Sequence, residues 1–271
     1  MLSKHLTNVI QNLEKKKFRE KYNLYKVEGD KLVQELLLSD MKIDSLIARP
    51  SWIESNQQHV KKCNTIEVNE IEMGRISNFK SLPEVIALAE IPVRTYNPDE
   101  IKDSLSVVLN GIQDPGNIGT ILRVCDWFGI RNIFCDHDCA NIFNPKSVQA
   151  SMGAIFRMNV FYLDLVDFIP RFTNSDFPCY GTFLEGENIY RMHLQSKGFI
   201  VMGNEGNGIT AGIEQLVNHK ITIPSFAHSL YSTESLNVGV ATGIILSEFK
   251  RIKYINLSLI HISEPTRPIS I

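Results

Sequence analysis

The chain has 271 residues, of which 44% are hydrophobic and 21% charged, with a formal net charge of −2. This composition is typical of a folded globular protein and excludes disordered and collagen-like classes, and the length suits one large domain or two ordinary ones. No run of about 18 apolar residues predicts a membrane span, and five scattered cysteines do not form the pattern of a disulfide framework, so reduced thiols are expected.

Short helices and strands alternate in the prediction for the first 95 residues. The helices are expected at 3–15, at 29–38 and after Pro50, and the strands at 23–27, 43–48 and 84–90. This pattern predicts a small α/β domain over 1–95. A linker is expected at 96–104, overlapping the segment 92–99, which is bracketed by prolines and shows no periodicity. The polar N-terminus lacks the apolar stretch of a secretory signal, so an intracellular, cytoplasmic protein is expected.

A basic cluster lies near the N-terminus, where residues 1–31 carry eight basic and four acidic side chains. Six of the basic residues are candidates for contacts with the phosphates of a nucleic acid. They are Lys15, Lys16, Lys17, Arg19, Lys21 and Lys26. A solvated charged helix face explains the same cluster equally well, and both interpretations stay open.

A second α/β pattern covers residues 105–255. Strands are expected at 106–110, 131–135, 158–162, 178–183, 198–202 and 219–223. Helices are expected at 118–128, with Gly129 as a left-handed cap, and at 235–253. The strands predict a largely parallel sheet covered on both faces. Residues 256–271 show no periodicity and are expected to be a vector-derived or disordered tail.

Three segments with unusual loop composition follow predicted strands, where ligands bind in open α/β sheets. The first, 110–123, has a turn before Asn117, which is predicted to cap a helix that carries Arg123. The second, 199–209, contains three glycines but neither a phosphate-binding P-loop nor a dinucleotide fingerprint. The third, 221–243, contains Ser235, the predicted N-cap of the last helix. Taken singly, each segment is also explained by ordinary turns and caps.

Taken together, the three segments resemble the three motifs of the SpoU (TrmH) family of RNA ribose 2′-O-methyltransferases, which belong to the SPOUT superfamily. The matching residues are Asn117 and Arg123 in the first motif, Gly203, Glu205 and Gly206 in the second, and Ser235, Leu236 and Asn237 in the third. The resemblance spans residues 105–253, and residues 1–95 resemble the L30e-like substrate-binding domain of many relatives.

The resemblance implies an α/β domain with a deep trefoil knot, S-adenosylmethionine bound among the knotted loops, and an obligate homodimer in which first-motif residues complete the partner's site. It implies no metal. The residues it implies around the cofactor are Thr182, Leu184, Gly186, Met202, Gly203, Asn204, Glu205, Gly206, Ile223, Pro224, Ser235, Leu236 and Asn237. The implied catalytic residues are Asn117, Arg123, Glu205, Ser235 and Asn237.

The implied reaction is a linear displacement in which a ribose hydroxyl attacks the sulfonium methyl group, so catalysis depends largely on positioning. Arg123 is expected to orient a phosphate or the hydroxyl, because a guanidinium stays protonated and is a poor proton acceptor. Glu205 is expected to anchor loops or to orient Arg123. Two features depart from the family: ten residues separate Pro224 from Ser235, which predicts an enlarged loop, and Gly239 stands where relatives often have serine.

Other interpretations remain open. Cys135, His137 and Cys139 have a spacing that suggests zinc, but no second ligand pair lies at finger-like spacing and a polar loop explains them better. Ribosomal RNA is favoured over transfer RNA as the substrate, by family analogy alone. A non-catalytic RNA-binding or assembly protein and a base-modifying SPOUT enzyme are the alternative functions.

Overall fold

The computed structural model describes residues 2–227 and 235–262, with side chains described as far as Arg251. The chain divides into two compact units. The first unit comprises residues 1–95, 112–126 and 139–159, and the second comprises residues 96–111, 127–138 and those from 160 onward. The first unit therefore includes two segments from the predicted methyltransferase domain. The linear domain bounds given above stay a prediction.

The helices and strands follow one another in a regular α/β order. The α-helices are α1 (Lys4–Asn12), α2 (Lys16–Tyr22), α3 (Asp30–Leu37), α4 (Pro50–Ser55), α5 (Gln57–Val60), α6 (Glu70–Ile76), α7 (Pro98–Lys102), α8 (Pro115–Trp127), α9 (Pro145–Ser151), α10 (Leu165–Phe168), α11 (Ala211–Glu214) and α12 (Val238–Ile262). The strands are β1 (Leu24–Glu28), β2 (Ile43–Ala48), β3 (Thr65–Glu67), β4 (Val85–Glu90), β5 (Leu105–Asn110), β6 (Asn132–Cys135), β7 (Asn159–Tyr162), β8 (Cys179–Asn188), β9 (Gly198–Gly203) and β10 (His219–Thr222).

A four-stranded sheet in the order β1-β4-β2-β3 forms the centre of the first unit. β4 pairs antiparallel with β1 and β2, and its residues 85–89 are fully buried, as the unbroken apolar run suggests. The strands predicted at 23–27, 43–48 and 84–90 are confirmed. β3 was not predicted, because three residues are too short to show a period.

Helices of the first unit bury their apolar faces in a common core. Side chains of α1 and α6 meet those of β2 and β4, and the cluster consists of Ile10, Leu13, Ile47, Val68, Met73, Ile76, Ile86 and Leu88. A capping box in which Asn69 and Glu72 bond each other's backbone starts α6. The prediction of one helix over 3–15 is wrong at its C-terminal end, because α1 ends at Asn12 and a second helix, α2, begins at Lys16.

The second unit contains a six-stranded sheet in the order β10-β8-β9-β5-β6-β7. The four pairings from β10 to β6 are parallel, which confirms the predicted sheet. Phenylalanine rings fill much of its core, among them Phe134, Phe168, Phe172, Phe177 and Phe199. Since parallel strands end on the same side, the loops after β8, β9 and β10 come together there.

The last helix differs from its prediction at both ends. α12 begins at Val238, three residues after the predicted start, and continues past Lys253 to Ile262. Part of the predicted tail is therefore helical, and residues 263–271 lie outside the described residues. Within the part of the chain that the structure describes, no helix is both long enough and apolar enough to cross a membrane.

Candidate active site

A cavity of about 840 Å³ opens in the second unit at the carboxyl ends of β8, β9 and β10. Such concave sites of several hundred cubic ångströms typically hold cofactors. All but two of the predicted cofactor-binding residues line it: Thr182, Leu184, Met202, Gly203, Asn204, Glu205, Gly206, Ile223, Pro224, Ser235 and Leu236. The second and third motifs, more than 25 residues apart in sequence, thus share one cavity.

The two predicted residues that do not line the cavity are Gly186 and Asn237. A Cβ at Gly186 would lie 2.8 Å from the Lys220 carbonyl oxygen, so glycine is needed there for the pairing of β8 with β10. The Asn237 side-chain oxygen accepts hydrogen bonds from the Gly239 and Val240 N–H groups at 3.0 and 3.3 Å. Asn237 therefore caps α12, and the prediction that Ser235 is the cap is wrong.

The loop after β9 is organised by Asn204. Its backbone exchanges two hydrogen bonds with Gly208, and its side-chain oxygen accepts from the N–H groups of Gly206 and Asn207. A Cβ at Gly203 would lie 2.5 Å from the Gly208 carbonyl carbon and 2.6 Å from the Ile209 nitrogen. Only glycine fits at 203, because backbone atoms cannot rotate away, and the loop presents bare backbone to the cavity.

Asn110 has a role in the site that was not predicted from the sequence. It lies buried at the end of β5, where its side-chain oxygen accepts from the Thr210 N–H at 2.7 Å and its amide donates to Asp136. Asp136 also accepts from the Gly111 N–H at 2.8 Å. These bonds join the loops that follow β5, β6 and β9. The signal available in the sequence was an asparagine at the end of an apolar strand.

Glu205 links the second motif to the third. One of its carboxylate oxygens accepts from the Asn237 side-chain amide at 2.9 Å and from the Val238 N–H at 3.2 Å. A carboxylate at the N-terminus of α12 also interacts favourably with the helix dipole. Of the two roles predicted for Glu205, these contacts support the anchoring of loops.

The first-motif residues lie on α8, in the first unit. The Asp114 carboxylate accepts from the Asn117 N–H at 2.9 Å and Pro115 opens the helix, so Asp114 is the N-cap and the prediction that Asn117 caps the helix is wrong. The Lys146 ammonium, 2.7 Å from Asp114, holds the pKa of that carboxyl below its usual value. Arg123 is exposed and makes no ion pair among the residues that the structure describes.

The basic cluster near the N-terminus separates into exposed and buried residues. Lys15, Lys16, Lys17 and Lys21 are exposed. Arg19, only 2% exposed, donates to the Leu13 and Glu14 carbonyl oxygens and so ties α1 to α2. Lys26, also 2% exposed, donates to the Ile76 carbonyl oxygen and pairs with Glu28. The prediction that Arg19 and Lys26 contact phosphates is therefore wrong.

Comparison with known proteins places this site in a family. Residues 104–247 match the SpoU rRNA Methylase family, which covers more than half of the chain. The chain belongs to the SpoU rRNA methylase family. Residues 8–87 match the MRM3-like substrate binding domain, which confirms the predicted substrate-binding domain at the N-terminus.

Individual relatives agree with the family. The chain is 26% identical over 243 residues to the 23S rRNA (guanosine(2553)-2′-O)-methyltransferase of Bacillus subtilis, which covers 87% of this chain and 92% of that one. A solved TrmH-family structure from Porphyromonas gingivalis is 34% identical with a TM-score of 0.83, covering 93% of this chain and 99% of that one. The AdoMet-bound rRNA methyltransferase of Sinorhizobium meliloti is 26% identical with a TM-score of 0.78, covering 93% and 96%.

These matches confirm the predicted family, α/β fold class, enzyme class and methyl donor. The threading of the knot stays a prediction. The loop into α12, which was expected to be enlarged, includes residues 228–234, and these lie outside the described residues.

We expect Glu205→Ala to weaken binding of S-adenosylhomocysteine at least tenfold, because it removes two hydrogen bonds to a charged group that hold the cavity loops. Each such bond is worth about 1.5–3 kcal/mol, and tenfold corresponds to about 1.4 kcal/mol. Glu205→Gln keeps a carbonyl oxygen that can accept from the Val238 N–H, and should bind nearly as tightly as the wild type. Isothermal titration of both variants tests this. Equal affinities for the alanine variant and the wild type would contradict the anchoring role.

Proposed function

We propose that the protein transfers the methyl group of S-adenosylmethionine to a ribose 2′-hydroxyl of ribosomal RNA. The observation that carries the proposal is the single cavity in which the second and third motifs meet. The relatives named as 23S rRNA 2′-O-methyltransferases, including that of B. subtilis, support the ribosomal substrate. Such bacterial relatives also support a cytoplasmic location.

The cavity suits the proposed methyl donor. Met202, Leu236 and Ile245 offer apolar surface for an adenosyl group, and the bare backbone at Gly203 and Ile223 offers groups that can bond the edge of an adenine. When bound, S-adenosylmethionine supplies an electrophilic methyl group for attack by a ribose oxygen. The loop closed by Asn204 forms one wall of the cavity.

Arg123 contributes charge and direction in this proposal. Its guanidinium can hold a phosphate or the ribose hydroxyl in two-point contact and so orient the attacking oxygen. Ser235, exposed at the cavity, is a further hydrogen-bonding partner for the sugar. Asn117 lies two turns before Arg123 on the same helix and is proposed to assist it.

We also propose a homodimer in which Arg123 of one subunit serves the cofactor of the other. Four large apolar side chains at or beside the cavity are exposed in the single chain: Leu184, Phe226, Leu236 and Val240. Exposed apolar side chains grouped around one cavity are typical of an interaction surface. Sedimentation of the purified protein tests the dimer directly, and a monomer at all concentrations would exclude it.

The enzymatic proposal is tested with tritiated S-adenosylmethionine and protein-free RNA from the host lacking the gene. We expect incorporation into ribosomal RNA and the appearance of nuclease-resistant dinucleotides after digestion, because a 2′-O-methyl group blocks cleavage of the adjoining bond. Incorporation only into transfer RNA would favour the alternative substrate. Incorporation without resistant dinucleotides would indicate base methylation, and cofactor binding without incorporation would favour a non-catalytic RNA-binding protein.

The exposed lysines of the N-terminal cluster are proposed to contact RNA phosphates. We expect the double variant Lys16→Ala, Lys17→Ala to weaken RNA binding and to leave cofactor affinity unchanged. The slope of log K against log salt concentration should become shallower by the amount that about two phosphate contacts contribute. The control is Lys61→Ala, Lys62→Ala, which removes the same charge from another exposed pair in the first unit. Filter binding over a range of salt concentrations measures both. An equal loss in the two variants would mean that net charge alone matters.

A further inference from the structure

An ion-pair network in the first unit surrounds Arg157. Its guanidinium donates from Nε and Nη2 to one carboxylate oxygen of Asp126, at 3.0 and 2.8 Å, and from Nη1 to the Glu35 carboxylate. Asp126 lies on α8 and Glu35 on α3. The two acids hold the arginine in one orientation, and their hydrogen bonds raise the pKa of Arg157.

The backbone beside Arg157 is shaped for this contact. Gly153 has a φ of +89°, a conformation that favours glycine, and a Cβ there would lie 3.1–3.2 Å from Glu35 side-chain atoms. Any other residue at 153 would be strained and would crowd Glu35. The network is therefore built into the turn that precedes Arg157.

Asp126 also has a second possible partner on its own helix. It lies three residues after Arg123 on α8, and side chains at this spacing are neighbours on a helix surface. Nevertheless Arg123 makes no ion pair within the described part of the chain, while Asp126 is bound by two N–H groups of Arg157. A carboxylate already held in this way has little tendency to attract another guanidinium.

We propose that Arg157 is a positioning residue for Arg123: it occupies Asp126 and so leaves the Arg123 guanidinium available to the RNA substrate. The inference rests on the role proposed above for Arg123. Without Arg157, Asp126 is free to pair with Arg123, and a fraction of the enzyme then presents a neutralised pair in place of a free guanidinium.

The first experiment is steady-state methyl transfer by Arg157→Ala. We expect kcat to fall about two- to fivefold, the range that a surface ion pair supplies, with the KM for S-adenosylmethionine unchanged. Adding Asp126→Asn should restore kcat to near the wild-type value, because the competing carboxylate is gone. An Arg157→Ala enzyme with wild-type kcat, or one that Asp126→Asn does not rescue, would overturn the proposal.

Two matched variants separate this role from net charge and from simple structural support. The double variant Arg157→Ala, Glu35→Gln has the same net charge as the double variant Arg157→Ala, Asp126→Asn. Because it keeps the Asp126 carboxylate, its kcat should remain lowered. Glu35→Gln alone should keep wild-type kcat, because both bonds from Arg157 to Asp126 remain. Rescue by Glu35→Gln, or a loss in the single Glu35→Gln variant equal to that of Arg157→Ala, would contradict the proposal.

Arg123→Ala, measured in the same assay, separates the role proposed for Arg123 from the role proposed for Arg157. If Arg123→Ala is fully active, the proposed function of Arg123 fails. If Arg123→Ala is inactive while Arg157→Ala equals the wild type, only the positioning role fails.

Discussion

Arg123→Ala should lower the rate of methyl transfer about 10²–10³-fold while leaving the affinity for S-adenosylhomocysteine within several-fold of the wild type. Losses of this size are typical when one fixed donor to the reacting group is removed. Arg123 is exposed on α8, where it supports no core contact, so the fold should be unaffected. Single-turnover transfer to ribosomal RNA and isothermal titration measure the two quantities.

The control for Arg123→Ala is Arg171→Ala, which removes an exposed arginine whose Nε donates to the Asp167 carbonyl oxygen. We expect it to transfer methyl groups at the wild-type rate. If Arg123→Ala kept full activity, or lost cofactor binding in proportion to its activity, the assignment of Arg123 to substrate orientation would be wrong.

Gly203→Ala should weaken cofactor binding by about 5- to 150-fold. The added Cβ would meet the Gly208 and Ile209 backbone at 2.5–2.8 Å, so the loop closed by Asn204 has to open. Forcing an extra methyl group into a packed site typically costs about 1–3 kcal/mol, which corresponds to about 5- to 150-fold in affinity. Titration with S-adenosylhomocysteine measures the affinity of the variant. In the proposed mechanism Gly203 contacts neither an RNA phosphate nor the ribose, so the measurement reports on the cofactor site alone.

The matched control for Gly203→Ala is Gly212→Ala on the neighbouring α11. A Cβ at 212 would lie at an ordinary 3.6 Å from a Val166 methyl group, and alanine is favoured over glycine within a helix. We expect unchanged affinity and equal or greater thermal stability. Undiminished cofactor binding by Gly203→Ala would show that this loop does not form the wall of the cofactor site.

Arg123→Ala and Gly203→Ala, assayed together at a cofactor concentration too low for Gly203→Ala to bind, test the proposed exchange of residues between subunits. If Arg123 serves the partner's cofactor, a mixed dimer of Arg123→Ala and Gly203→Ala subunits contains one intact site. Co-expression in equal amounts should then restore about a quarter of the wild-type activity, because half of the dimers are mixed and each has one working site. No restoration in isolated mixed dimers would mean that each subunit completes its own site.

Much of the cofactor cavity could be predicted from the sequence, because its residues follow strands that are readily identified. Apolar runs marked β5, β8, β9 and β10, and parallel strands bring their following loops together. The predicted caps failed for a local reason. Each helix start has two polar residues close together that could cap it, and only the hydrogen bonds of the folded chain show which one does. Asp114 caps α8 in place of Asn117, and Asn237 caps α12 in place of Ser235.

By itself, the sequence determined the order of every described strand but β3, the family and the residues of the second and third motifs that line the cavity. These depend on period, turn residues and motif spacing, which are local properties. Only the tertiary structure decided that Arg19 and Lys26 are buried, that Asn110 bonds Asp136, and that Arg157 bonds Glu35 across 122 residues of sequence. Charged and polar side chains carry no local signal of whether solvent, backbone or a distant partner will satisfy them, because that choice is made when the chain packs.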